Sequence, residues 1–145
     1  MTLDNEIKKL ILNMTSSHKI IDDWEEIADE LSDLFEWKGS KIDWSKTNKY
    51  VSKRLTGSCS ERLLLIQNFI KREPVFSMIN SSVDIFYIND SSLDFAVCFA
   101  PEQLDNFIEM AVENIPQHHY FFDVLKKWCL VISAEDYIDF GLSRN

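Results

Sequence analysis

His118-His119-Tyr120-Phe121-Phe122-Asp123, Trp128-Cys129-Leu130-Val131-Ile132-Ser133 and Tyr137-Ile138-Asp139-Phe140-Gly141-Leu142 are three consecutive runs of aromatic and β-branched residues. Such residues fit the pleated, half-buried surface of a sheet. The gaps between the runs, 124–127 and 134–136, are far shorter than the roughly dozen residues that a parallel crossover needs. The three runs therefore read as an antiparallel meander. Upstream, Pro101 stands at the favoured first position of a helix, Leu104, Phe107, Ile108, Ala111, Val112 and Ile115 share one face, and Pro116 ends it. Further upstream, Val83 to Ile88 and Leu93 to Phe99 are two more strand-like runs, joined across the turn-forming Asn89-Asp90-Ser91-Ser92 into a hairpin.

The first half has a helical period. Leu3, Ile7, Leu10, Ile11 and Met14 repeat at helical spacing behind Thr2, a cap residue, and Ser16 and Ser17 punctuate. Ile20, Trp24, Ile27, Leu31 and Leu34, widened by Ile21, Ala28 and Phe35, form the stripe of a longer helix that Gly39 can stop. Residues 46–55 read as a shorter helix ending at Gly57, with a thin face of Tyr50, Val51 and Leu55. Ser58 and Glu61 have the capping-box spacing ahead of Leu63, Leu64, Ile66, Phe69 and Ile70, and Pro74 closes that helix. The expected architecture is α+β in a single domain, 1–145. A mainly helical layer (1–73) precedes an antiparallel sheet of about five strands (83–142) carrying one inserted helix, 101–115.

At 145 residues and 46% hydrophobic, the chain is long enough for a core that buries roughly two-thirds of its unfolded surface. Twenty-four acidic against 15 basic side chains leave a net charge of −9, which argues against nucleic acid as a partner, because phosphate contacts need clustered Lys and Arg. The N-terminal residues mix Asp4, Glu6, Lys8 and Lys9 with apolar ones, unlike a signal peptide, and nothing approaches the about 18 apolar residues of a membrane span. Cys59, Cys98 and Cys129 are odd in number, far apart and without C-x-x-C spacing, which points to free thiols in a reducing cytoplasm.

The charge is segregated. Residues 1–37 carry a net −7, residues 38–73 a net +6 and residues 74–145 a net −8. Asp22, Glu26, Asp29, Asp33 and Glu36 are spaced 4, 3, 4, 3 and line one stripe of the second helix. Like charges at that spacing repel by a few tenths of a kcal/mol per pair, so the stripe does not serve helix stability. One reading is a solvated face, partly neutralised by Lys46, Lys49, Lys53 and Arg54. The other is a docking surface for a basic protein, joined by Glu135, Asp136 and Asp139 near the last turn.

Motifs for chemistry are scarce. Three glycines, Gly39, Gly57 and Gly141, leave no phosphate-cradling loop, and there is no H-E-x-x-H, no G-x-S-x-G and no paired cysteines. His118 and His119 on a strand point to opposite faces and cannot both ligate one metal without a bulge. No catalytic residue, metal or cofactor is expected. Tyr120, Phe121, Phe122, Trp128, Tyr137 and Phe140 pack a core or, alternatively, line a small-molecule pocket beside His118 or His119.

The closing runs, His118 to Phe122, Trp128 to Ile132 and Glu135 to Gly141, resemble the terminal antiparallel strands of small, acidic, single-domain bacterial proteins. Many of these are immunity proteins of polymorphic-toxin and contact-dependent inhibition systems. The likeness spans about residues 83–142 and transfers no individual binding residue, since such families bind their toxins through differing surfaces. The resemblance implies a non-enzymatic cytoplasmic protein that blocks a cationic toxin, such as a nuclease effector, by stoichiometric binding. Trp24, Trp37 and Trp44 are candidate anchors for such an interface.

Overall fold

The meander holds. The computed structural model describes residues 2–14, 18–89 and 93–145, and in it β7 (His119–Asp123), β8 (Trp128–Ile132) and β9 (Tyr137–Leu142) pair antiparallel in sequence order. β5 (Ile85–Asn89) pairs with β7 on one side and with β6 (Ala96–Phe99) on the other, which is the expected hairpin. Its expected turn residues 90–92, like Ser16 and Ser17, lie outside the described residues. Helix α5 (Leu104–Asn114) follows a 3₁₀ turn at Pro101–Gln103. The fold class is α+β, as expected.

The sheet is larger than five strands, because two edges are completed by the first half of the chain. The order is β1-β6-β5-β7-β8-β9-β4, wholly antiparallel, with β1 (Lys19–Ile21) on one edge and β4 (Asn48–Arg54) on the other. The helix expected over 46–55 is this edge strand. Its apolar face was too thin to bury as a helix, whereas the open backbone of β9 offers it a hydrogen-bonding partner. A bulge between Asn48 and Val51 and a positive φ of 52° at Lys49 bend it, and Lys49, Lys53 and Arg54 keep the outer edge from pairing further. The second helix likewise begins later than its periodicity predicts. Ile20 and Ile21 pair with Val97 and Ala96 of β6, and α2 runs from Trp24–Leu34. Two short strands, β2 (Trp37–Lys38) and β3 (Lys41–Ile42), form a separate hairpin, closed by Gly39 at φ 67°.

Alternation along the strands divides the core between two faces. His119, Phe121, Trp128, Leu130, Ile138 and Phe140 face α1 (Leu3–Leu12), α3 (Cys59–Ile70), α4 (Val75–Asn80) and α5. The capping box at Ser58 and Glu61 is formed as the spacing predicts, and Thr2 caps α1. Tyr120, Phe122, Cys129 and Val131 face the other way, against Leu31 of α2, Phe35 and Ile42 of β3. The helices are therefore not one layer but two, with the sheet between them. Among the described residues no helix is long and apolar enough to cross a membrane.

Several polar groups taken into this core are partnered. The Trp128 indole N–H donates to Ser82 at 2.9 Å, and Asn89 Nδ2 donates to the carbonyls of Pro116 and His118. Tyr87 and His119 share a 2.8 Å hydrogen bond between buried rings. Burial, with His118 as a lesser contributor, pushes His119 from 6.5 down to about 4. The unfolded chain thus binds this proton more readily than the folded one. The stability owed to neutral His119 is complete above pH 6.5 and is lost as pH falls toward 4, by roughly 2–4 kcal/mol in all. Denaturant unfolding between these pH values should show that loss, and His119→Gln should flatten it; an unchanged slope in the variant would assign the acid sensitivity elsewhere.

Candidate binding surface

The acidic stripe lies on the outer side of α2 and just beyond its ends. Glu26, Asp29 and Asp33 are exposed on the helix, Asp22 precedes it and Glu36 follows it. Asp22 pairs with Lys8 of α1 at 3.3 Å. Among the described residues, no ion pair reaches Glu26, Asp29, Asp33 or Glu36. The four cations expected to neutralise the stripe sit instead on β4 and on the 3₁₀ turn Trp44–Lys46. Crowding shows in Glu26, whose carboxyl is raised by a hydrogen bond with Asp23 first, then by the charges of Asp23, Glu30 and Asp29.

The acids of the last turn are placed differently. Glu135 is paired with Lys41 of β3, and Asp136 with Arg62 of α3. Asp139 accepts a hydrogen bond from the Tyr50 hydroxyl at 2.8 Å. The eight candidate acids therefore form two groups: a helix stripe in which Asp22 alone has an ion pair, and Glu135, Asp136 and Asp139 in and beside the last turn, each engaged inside the chain.

Beside that turn is a cavity of about 280 Å³. Its floor is built by register. Tyr120 pairs with Val131, Val131 with Asp139, and Asp139 with Ser52, so one row of side chains crosses β7, β8, β9 and β4 on the α2 face. Tyr137, opposite Arg54, and Tyr50, on the Gly141 side of Ser52, flank this row on opposite sides. Trp44 closes the side, its ring stacked on Tyr50 with centroids 5.4 Å apart and planes 17° apart. The Lys41–Glu135 pair and His118 form the rim. His118 Nδ1 accepts the Ala134 N–H at 3.0 Å, so the neutral ring carries its proton on Nε2, 4.0 Å from Glu135.

Of the six aromatic residues singled out in sequence, Tyr120 and Tyr137 line this cavity. Phe121, Trp128 and Phe140 face the opposite core, and Phe122 is buried beside Phe86. His118 belongs to the cavity and His119 to the core. Trp44, expected as a candidate interface anchor, lines the cavity, whereas Lys41, Tyr50 and Ser52 were not singled out as site residues. The signal that could have found them is Gly141, since a glycine inside a strand marks close approach. A Cβ there would lie 2.9 Å from Thr47 Oγ1 and 3.1 Å from Trp44 Cε3, so the bare backbone of β9 is what lets the Trp44 ring approach the sheet this closely.

Cys98 and Cys129 are buried, and burial pushes the Cys98 thiol up to about 11; Cys59 is exposed. Among the described residues no three His, Cys, Asp or Glu side chains gather in a way that could hold a metal. No protein-family model matches the chain, and no curated protein matches it in sequence.

Gly141→Ala should cost about 1–3 kcal/mol by overpacking and displace the Trp44 ring. Denaturant unfolding reads the first effect, and the Trp44 indole resonance reads the second. An unshifted indole in a stable variant would show that the contact is not tight.

Proposed function

We propose that the chain is a non-enzymatic binding protein for a basic protein partner, acting as an immunity protein that neutralises a cationic toxin. The uncompensated acidic face of α2 carries this reading. Like charges at i, i+3 and i+4 cost helix stability, and here Glu26, Asp29 and Asp33 sit together with no cation drawn from the basic middle segment. A field of one sign on one face raises the encounter rate with an oppositely charged protein and selects against acidic ones. The likeness of the last three strands to immunity proteins supports the same reading, and three free thiols support a cytoplasmic location. A second reading, a small-molecule or regulatory module, is favoured by the aromatic cavity beside His118.

The test is binding to the product of the neighbouring gene across a salt series. Association should weaken steadily from about 50 mM to about 300 mM salt as the charges are screened. Glu26→Gln, Asp29→Asn and Asp33→Asn combined should slow association about tenfold or more. The same variant should be no less stable, gaining a few tenths of a kcal/mol for each repulsive pair removed. Salt-independent binding, or an unchanged association rate in the variant, would defeat the electrostatic reading.

A further inference from the structure

We infer that the cavity beside the last turn is a receptor for an arginine side chain presented by the basic partner. This rests on the reading of a basic partner and adds the residue that anchors it. Four aromatic rings, Trp44, Tyr50, Tyr120 and Tyr137, line the cavity. A guanidinium stacks on such faces, and it does so more readily than an ammonium because it is planar and weakly hydrated. One wall already holds such a group within the chain, with the Arg54 guanidinium 6.0 Å from the ring centre of Tyr137.

The charge of the lining points the same way. Lys41 cancels Glu135, and His118 Nδ1 accepts the backbone N–H of Ala134. Asp139 remains. Its Oδ1 takes the Tyr50 hydroxyl, and among the described residues no cation pairs with it. Burial, with Asp139 adding to it, raises the Tyr50 phenol, so that the hydroxyl keeps its proton and stays a donor to the carboxylate. The cavity thus offers one uncancelled negative charge among π faces, with the Ser52 and Ser133 hydroxyls as further acceptors. An anionic ligand would meet that charge unfavourably.

Size and place narrow the occupant. About 280 Å³ lies at the lower limit of the roughly 300–1,000 Å³ usual for small-molecule sites, room for one side chain rather than a nucleotide. The cavity opens on the same sheet face that α2 covers, with Tyr120 contacting Trp37 at a centroid distance of 6.1 Å between them. A single basic surface can therefore meet the acidic helix and insert an arginine beside it. Buried aromatic-lined pockets filled by Arg are where interface energy concentrates.

The experiment is an NMR titration of the whole chain with N-acetyl-arginine methylamide, its lysine counterpart and its uncharged citrulline counterpart. The arginine probe should give saturable shifts at the Trp44 indole and the Tyr50, Tyr120 and Tyr137 rings. The lysine probe should bind about fivefold more weakly and the citrulline probe not measurably. Asp139→Asn should weaken the arginine probe about tenfold. Tyr50→Leu should weaken it too, and the amide spectrum checks that both variants fold. The neutralised α2 variant should bind the probe as before. No saturable shift, an equal response to citrulline, tighter binding of lysine, or indifference to Asp139→Asn each overturns the inference. If a basic protein binds in a salt-dependent way and the probe shifts nothing, the pocket fails and the docking reading stands. If the probe binds and no basic protein does, the docking reading fails and takes the partner-borne arginine with it.

Discussion

Strands β7 and β8 are buried along their whole length on both faces, and this constraint organises the rest of the molecule. A strand buried on one side needs one covering layer; these need two. Four helices cover one face with a continuous apolar core. The other face is covered by α2 and a hairpin of two short strands, whose apolar contribution is smaller. That cover reaches over β5, β6 and β7 and then thins toward β9 and β4. The cavity lies where it thins. It follows from covering a seven-stranded sheet with an eleven-residue helix and a hairpin, and the chain has lined the uncovered part with tyrosines, which tolerate being half wet.

How much of this was readable in the sequence depends on whether a segment carries its own reason for its structure. The C-terminal strands do, because continuous runs such as Trp128 to Ile132 can only be buried and the intervening gaps allow only a meander. Helix α5 does, between Pro101 and Pro116, and so does α3 with its capping box. Strands β1 and β4 do not. Ile20 and Ile21 fit a helical stripe as well as a strand, and Tyr50, Ser52 and Arg54 are exposed, so no apolar alternation announces β4. Both became strands because the sheet had open edges, which is a tertiary fact. The site divides the same way. His118, Tyr120, Glu135, Tyr137 and Asp139 lie on the legible strands or directly beside their ends and were visible as candidates. Lys41, Trp44 and Tyr50 arrive from segments whose position depends on register with β9, and register is not written in residue types alone.

The segregated charge now has a more specific meaning. The basic middle of the chain does not neutralise the N-terminal acids; Lys41 and Arg62 reach across more than seventy residues of sequence to Glu135 and Asp136 on the last turn. Both pairs are at least partly exposed and contribute on the order of 1 kcal/mol or less each. They do more to position than to stabilise. Lys41 ties the β2–β3 hairpin to the β8–β9 turn, and so sets one side of the cavity.

With the cations used there, the repulsion on α2 stays uncompensated, and the two features complement each other in range. Exposed charges act over about a Debye length, near 10 Å at moderate salt, and they orient an approaching protein without holding it. An aromatic cavity acts only in contact and discriminates by shape. A surface with the first alone would attract many basic proteins and retain few. A surface with the second alone would find its partner slowly. Their placement on one side of one sheet is what allows a partner to be first steered and then held, and it costs the fold only a weakly covered corner and a row of crowded carboxylates.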